Sequence, residues 1–364
     1  MASGASVARH GRLVEILDEI AAADIPNLKN RASAKTARAA VLDSLFLEEF
    51  TKIAGERIRR QTPSLKKVPK KKRIQRVVQV MWSDHHHGMC LGGREFPYPY
   101  GGVEESRRVG ALVKQLIEYK TQYRDHTTAM IHIIGDMFQG TLHDPRDGAP
   151  LALQVDATMG YLAQAVRVVA GEFSEVDVWC SPGNHGRNQS RHHDRAVCQK
   201  FDSLENVMYA GMAQGLKHIP NVRVHLDRKP FYRYQVFDHV GFMTHGDTVI
   251  AAGFPGRSLN VEKVRAIVNK WSVADRRKYA VVGVGHTHTG AMVALPEGGT
   301  FLYNGCLPPF DYFSQSMGNP STHSCQWMWE TTEKYMVGDA RLIELSKDTD
   351  QDKSLNDLIT PYQY

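Results

Sequence analysis

The order of apolar and polar positions divides this chain into a helical beginning, a stretch where strands and helices alternate, and a strand-rich second half. Residues 8–23, with Val7, Leu13, Ile16, Leu17 and Ile20 along one side of a 3.6-residue period, predict an amphipathic helix that stops before Pro26. Residues 33–58 repeat that period, with Ala39, Val41, Leu42, Leu45, Phe46, Phe50 and Ile53 apolar. Together they read as a small N-terminal helical module over residues 1–56. No turn glycine stands where a helix-turn-helix needs one, so a packing appendage is the better reading.

From Ile74 the period changes. Residues 74–82 read as a strand, 103–123 as a helix with Val109, Leu112, Val113, Leu116 and Ile117 inward, and 129–134 as a strand. The cycle continues with a helix over 151–173, a strand over 176–180 and a helix over 203–216. This βαβ alternation predicts an α/β layered fold. Further strands are expected at 233–237, 240–244, 279–284, 291–294, 300–303 and 340–345, with a helix near 261–271. One domain therefore spans residues 74–346, and 347–364 is left as a polar, loosely docked tail.

Composition adds bounds. With 364 residues, 42% hydrophobic and 23% charged, the chain has room for one large domain and a smaller one. No run approaches the ~18 apolar residues of a membrane-crossing helix, and residues 1–12 lack the apolar stretch of a secretory signal. A cytoplasmic protein without a membrane partner is expected. Cys90, Cys180, Cys198, Cys306 and Cys325 are scattered and form no Cys-x-x-Cys pair, which excludes a disulfide scaffold and predicts reduced thiols, mostly in the core.

Charge is concentrated in one place. Between Arg57 and Arg76 stand ten Lys or Arg and no acid, and without them the net charge of +6 would be −4. Pro63 and Pro69 rule out a continuous helix there. Residues 57–73 thus form a basic linker, with Lys66, Lys67, Lys70, Lys71, Lys72 and Arg73 readable either as a solvated face or as an arm that contacts a phosphate backbone. No aromatic interleaves the run, so base stacking is not expected there.

Five polar clusters carry the chemistry: Asp84-His85-His86, Gly135-Asp136, Gly183-Asn184-His185, His245-Gly246-Asp247 and Gly285-His286-Thr287-His288. Most directly follow a strand-like run, which places oxygen and imidazole donors on loops at strand ends. Asp84 and His86, two apart in an extended segment, would point the same way and share an ion, with His85 turned away. Asp136 can offer one carboxylate oxygen to each of two ions. Asn184 supplies a neutral carbonyl, and His185 is placed to donate a proton to a leaving oxygen. His245, His286 and His288 complete a set of seven potential ligands, the last two repeating the same-face spacing. Seven donors suffice for two cations with positions left for a nucleophilic water and a substrate oxygen. Each residue alone would more often be a helix cap, a turn or a surface histidine; the ordered set outweighs those readings.

Ser-Asp-His-His-His-Gly (83–88), Gly-Asp (135–136), Gly-Asn-His (183–185), Thr-His-Gly-Asp (244–247) and Gly-His-Thr-His (285–288) resemble the five signature motifs of the calcineurin-like metallophosphoesterases. Asn304-Gly305-Cys306 resembles the strand-end turn that follows the last motif. The resemblance covers residues 74–346 and implies a four-layer α/β/β/α sandwich with a dinuclear site at one edge of two sheets. It further implies that Asp84, His86 and His288 hold one metal, Asp136 bridges, Asn184, His245 and His286 hold the other, and His185 is the catalytic histidine. A water held between the cations would attack phosphorus in line. Manganese is the favoured metal by analogy with the nuclease branch, and iron or zinc fits the same donors.

Departures from the pattern matter. The third motif ordinarily continues with an acid that orients the catalytic histidine, and here Gly186 follows; either another acid takes that role, with Asp144 and Asp194 as candidates, or His185 works without one. The second motif ends in Gln139 where an acid or histidine is common. Arg187, His143, His192 and His193 are candidates for substrate contact. The basic segment and the likeness to phage-encoded and DNA-repair members point to a nuclease acting on DNA, single- or double-stranded. The alternatives are a phosphomonoesterase acting on phosphoproteins or nucleotides and a binding module without activity. Oligomeric state stays open.

Overall fold

Seven residues, Arg76–Trp82, form β1, and all but the first are buried. A strand buried on both faces belongs inside a layered α/β structure, where near-continuous apolar sequence replaces alternation. In the computed structural model the residues described are 47–70, 76–92, 100–123, 126–142, 148–187, 200–247, 261–295, 298–308, 323–345 and 353–363. The chain divides into two units, Met1–Lys52 and Ile53–Tyr364. Of the first, residues 47–52 are described and are helical; the predicted helix over 8–23 lies outside the described residues, as does most of that over 33–58.

Within the second unit, residues 53–61 are helical. The elements that follow are β1, α1 (Gly102–Tyr123), β2 (His126–Ile133), α2 (Leu151–Glu172), β3 (Glu175–Cys180), α3 (Leu204–Leu216), β4 (Val222–Leu226), β5 (Phe231–Val236), β6 (His239–Thr244), α4 (Val261–Asp275), β7 (Val281–Val284), β8 (Ala291–Ala294), β9 (Thr300–Tyr303), β10 (Cys325–Thr332), β11 (Ala340–Glu344) and the short α5 (Leu355–Leu358). One sheet has the order β11-β10-β1-β2-β3-β4, and the other β5-β6-β7-β9-β8. Strands β1 to β4 run parallel, as do β6, β7 and β9.

The sheets pack face to face. Val77, Met81, Met130 and Ile134 of the first meet Tyr232, Tyr234, Val236, Met243, Val281 and Leu302 of the second. α4 covers the outer face of the second sheet through Val264 and Val268 on Val282, Val284 and Phe301, while α1, α2 and α3 pack against one another and against the first sheet. α1 follows its pattern: Val109, Leu112, Val113 and Leu116 are fully buried, with Glu104 and Glu105 in its first turn and Lys120 in its last, as the helix dipole favours. The result is the α/β/β/α arrangement. No helix among the described residues is long and apolar enough to cross a membrane.

A polar core crosses the intersheet space. His132 Nε2 lies 2.8 Å from Gln79 Oε1 and Nδ1 lies 3.1 Å from Tyr232 Oη, with the ring stacked on Trp329. Burial lowers this imidazole to a pKa of about 3, so it stays neutral.

Three features depart from the sequence reading. β4 and β10 form where no strand is predicted; β10 is buried on both faces and lacks a clean alternation, and it pairs with β1, more than two hundred residues earlier. The final segment is not loosely docked. Leu355 and Ile359 are buried, and the Tyr362 main-chain N–H donates to Tyr161 Oη at 2.9 Å, because two apolar anchors within a polar sequence find the backs of α1 and α2.

Candidate metal centre

The parallel strands of both sheets deliver their following loops to one region. The donors there share an unusual backbone state. Of the eight non-glycine residues with positive φ among the described residues, five are Asp84 (54°), His86 (48°), Asp136 (53°), His286 (70°) and His288 (54°). Left-handed backbone costs an ordinary L-residue roughly 1–2 kcal/mol, and such strain concentrates where function over-determines the conformation. This corrects the extended geometry expected for Asp84/His86 and for His286/His288. With left-handed residues at both positions, the alternate histidines 286 and 288 diverge into different donor groups.

Three groups of donor atoms lie within 4.8 Å of one another: Asp84, His86 and His288; His86, Asp136 and His185; and Asp136, His245 and His286. His86 Nε2 stands 3.1 Å from His288 Nε2, and His288 Nε2 3.4 Å from Asp84 Oδ1. Asp136 Oδ2 is 2.8 Å from His245 Nε2, which is 3.1 Å from Asn184 Oδ1. Asp136 thus belongs to groups on both sides, and its Oδ1 accepts the His185 main-chain N–H at 2.7 Å. Two glycines allow the second and third loops to approach this closely: a Cβ on Gly135, at φ 93°, would overlap the Gly183 main chain, and one on Gly183 would overlap Asp136.

Neighbouring carbonyls set the ring tautomers. His86 Nδ1 faces Gln139 Oε1 at 2.9 Å, His245 Nδ1 faces Ile134 O at 2.9 Å, and His185 Nδ1 faces Gln139 O at 2.5 Å. Each Nδ1 must therefore donate, which turns the other nitrogen of the neutral ring into a lone pair aimed inward. The Asp84 carboxylate is held by the His286 N–H, 3.0 Å from both oxygens. Beneath it Asn304 Nδ2 donates to Ser83 Oγ at 2.9 Å and to Gln326 Oε1 at 2.7 Å, while Gln326 Nε2 donates to Ser83 O at 3.0 Å.

Electrostatics test whether divalent cations fit. Burial alone would raise the Asp136 carboxyl, yet His245 and His185 beside it hold it well below its usual value. Burial likewise works to lower His245, but the Asp136 carboxylate brings it up to about 9. His286, penalised by burial and then by the charge on His245, is lowered to about 4. Inward lone pairs thus meet carboxylate and amide oxygens, and acceptors can face acceptors only if positive charge stands among them. Protons on His245 and His288 partly meet that need. Two mixed sets of imidazole and carboxylate suit divalent cations, so the residues present fit the group.

The remaining sequence candidates are placed as follows. His185 is buried with its ring edge-on to His86, centroids 4.5 Å apart. The acceptor at its Nδ1 is the main-chain carbonyl of Gln139. Asp144, Asp194, His143, His192 and His193 lie outside the described residues, as do Lys71, Lys72 and Arg73. Arg187 is half-buried and its backbone bridges to Ser203. His85 is buried against His87, Nδ1 to Nε2 3.2 Å, and joins neither metal group. Asp247 forms a buried ion pair with Lys200 at 2.7 Å.

Lys66, Lys67 and Lys70 are exposed but not beside the donors. Thr62 O accepts from His218 Nε2 at 2.6 Å, just past the C-terminus of α3, and Leu65 lies by Gly171 at the C-terminal end of α2. The donor loops meet the opposite end of α2, where Gln154 Nε2 donates to Gly140 O. At 1.5 Å per residue, Gln154 to Gly171 is about 26 Å.

Sequence reasoning did not single out three polar residues that hold the donor loops: Gln326, Glu205 and, as an orienting group, Gln139. The only signal for them was uncharged or isolated polarity inside otherwise apolar segments.

No family model matches the chain, and no curated protein matches it. Among solved structures it is similar to a dimetal phosphatase from Danio rerio, 12% identical over 74% of this chain and 99% of that one, with TM-score 0.38. It is similar also to an archaeal phosphodiesterase (12% identical, 73% and 99% covered, TM-score 0.32). A third is a calcineurin-like phosphoesterase from Bacillus subtilis (8% identical, 78% and 98% covered, TM-score 0.31). Likenesses this distant leave the chemistry to be argued from the donors themselves.

Proposed function

We propose that this chain is a two-metal phosphoesterase and that its substrate is DNA, cleaved as a phosphodiester. The observation that carries the reading is Asp136, a buried carboxylate shared between two groups of imidazole and carboxylate donors with His185 at its side. Asp84, His86 and His288 would hold one cation, Asn184, His245 and His286 the other, and Asp136 both, with manganese the proposed metal. Bound there, the cations would supply positive charge for the phosphoryl oxygens and an activated water.

The chain's own groups do the rest. Gln139 commits the Nδ1 atoms of both His86 and His185, one through its side chain and one through its backbone. His185 is thereby left with Nε2 toward the centre, where in its protonated form it donates to the departing oxygen. The Asp136 contact to the His185 N–H ties that proton donor to the carboxylate both sites share. Water is largely excluded, since Asp84, Asp136, Asn184 and His245 are all buried, and charge interactions gain strength accordingly.

DNA is favoured over small esters because only an extended polyanion could engage the site and the lysines about 26 Å away together. The second reading is a phosphomonoesterase, whose substrate would not meet those lysines. Purified protein with MnCl2 should degrade single-stranded, duplex or circular DNA, and Asp136→Ala should not. Cleavage of phosphomonoesters alone would reject the nuclease reading; an Asp136→Ala variant as active as the parent would reject the metal centre.

A further inference from the structure

Gly186 occupies the position where the pattern of the third motif carries an acid. The start of α3 packs directly against it: Leu204 N–H donates to Gly186 O at 2.8 Å. Ser203 caps the helix, and the next side chain after Leu204, that of Glu205, is fully buried along the face of Gly186. A Cβ on Gly186 would stand 2.7 Å from both Glu205 Cγ and Ser203 Oγ, so the start of α3, with Glu205 on it, sits in the space that a side chain at 186 would fill.

The two oxygens of Glu205 have separate tasks. Oε1 accepts the Met137 N–H at 2.7 Å and Oε2 accepts the Gly183 N–H at 2.5 Å. Met137 follows Asp136, and Gly183 precedes Asn184. Both amides belong to loops that have left the sheet, where no strand partner supplies an acceptor, and a buried N–H without one is costly. A glutamate is the side chain whose two oxygens can accept from both at once, even though burial and the neighbouring Asp136 raise its pKa to about 7.

We infer that Glu205 is a positioning residue of the metal centre: it clamps the Asp136 and Asn184 loops together from α3, in the place that Gly186 leaves open. The inference rests on the two-metal reading of the site. Without the clamp the Met137 and Gly183 amides lose their acceptor, the loops separate to reach water, and Asp136 no longer serves both donor groups.

The test is calorimetric titration of the metal-free full chain with MnCl2, alongside steady-state hydrolysis of DNA. Glu205→Gln keeps the shape but turns an amide N–H2 toward one of the two donors. It should bind manganese roughly 10–100-fold more weakly, the usual effect of losing a partner that orients a ligand. At saturating MnCl2 its kcat should fall while KM for DNA stays unchanged. Near-UV circular dichroism of the metal-free variant should match the parent, which separates displaced ligands from lost folding. Glu205→Ala, which removes both acceptors, should be weaker still. Parental manganese affinity and kcat in Glu205→Gln would overturn the inference, as would a Glu205→Ala variant that binds manganese as tightly as the parent. If the parent itself takes up no manganese, the metal centre fails first and the clamp with it.

Discussion

Changing Lys66, Lys67 and Lys70 together to Ala tests the DNA reading through distance. The three are exposed at the end of the domain opposite the donor loops. At 3.4 Å per base pair, a separation of about 26 Å corresponds to roughly 7–8 base pairs. If each lysine meets one phosphate of duplex DNA, the three contribute about −2.7 to the slope of log affinity against log salt. Between about 50 and 200 mM salt that slope amounts to roughly a 40-fold loss. Parent kcat/KM on a long duplex should therefore fall about 40-fold more than that of the triple variant over this range. On duplexes with fewer than about 7 base pairs beyond the scissile bond, the two proteins should behave alike at every salt concentration. Hydrolysis of p-nitrophenyl phosphate esters should not distinguish them. Equal salt slopes on long DNA would refute the arm, and a difference on the nitrophenyl esters would show that the substitutions act through the fold.

Four further outcomes are expected. Gln139→Leu removes the acceptor at His86 Nδ1 and should weaken manganese binding about 10–100-fold by calorimetry, whereas Gln139→Glu should retain it. Gly183→Ala drives a methyl into Asp136 and should abolish metal uptake; an intact stoichiometry would contradict the close approach of the two loops. His132 is held neutral to about pH 3 while an unfolded histidine takes a proton near 6.5, so folding stability should decline as pH falls from about 6.5 to 3. The contribution is on the order of 5 kcal/mol at the acid end, and His132→Gln should flatten the fall in urea midpoint. For His245 the sign reverses: its pKa of about 9 in the metal-free chain gives stability present below about pH 6.5 and lost as pH rises through 9, a loss that Asp136→Asn should reduce in thermal melts.

Much of the molecule was readable locally. The helices 102–123, 151–172 and 204–216 follow from apolar spacing, and most of the parallel strands from short apolar runs ending at polar clusters. β10 was not readable: Cys325–Thr332 carries Gln326 and Glu330 in a run with no dominant period, and it becomes a strand by pairing with β1. The C-terminal segment was misread for a related cause, since the worth of Leu355 and Ile359 depends on the helices that receive them. In the candidate site, the donors stood out because metal chemistry needs few residue types and strand ends present them. Their supports did not. Glu205, Gln139 and Gln326 act by contacts to main-chain or side-chain atoms of other loops, and nothing in their local sequence marks them.

What the sequence by itself indicated is therefore an inventory: most of the strands and helices, and the candidate donors at their ends. The tertiary structure decided how those donors divide. Left-handed backbone at five of them sends His286 and His288 to different groups, which His86 and Asp136 connect through a third. It also decided that Leu65 of the basic segment lies by the C-terminal end of α2 and that Glu205 of α3 holds the Met137 and Gly183 amides beside Gly186. The physical reason is one of range. Periodicity and residue chemistry are local, whereas the distance between a carboxylate and the amides it holds is set only when the sheets and helices that carry them have packed.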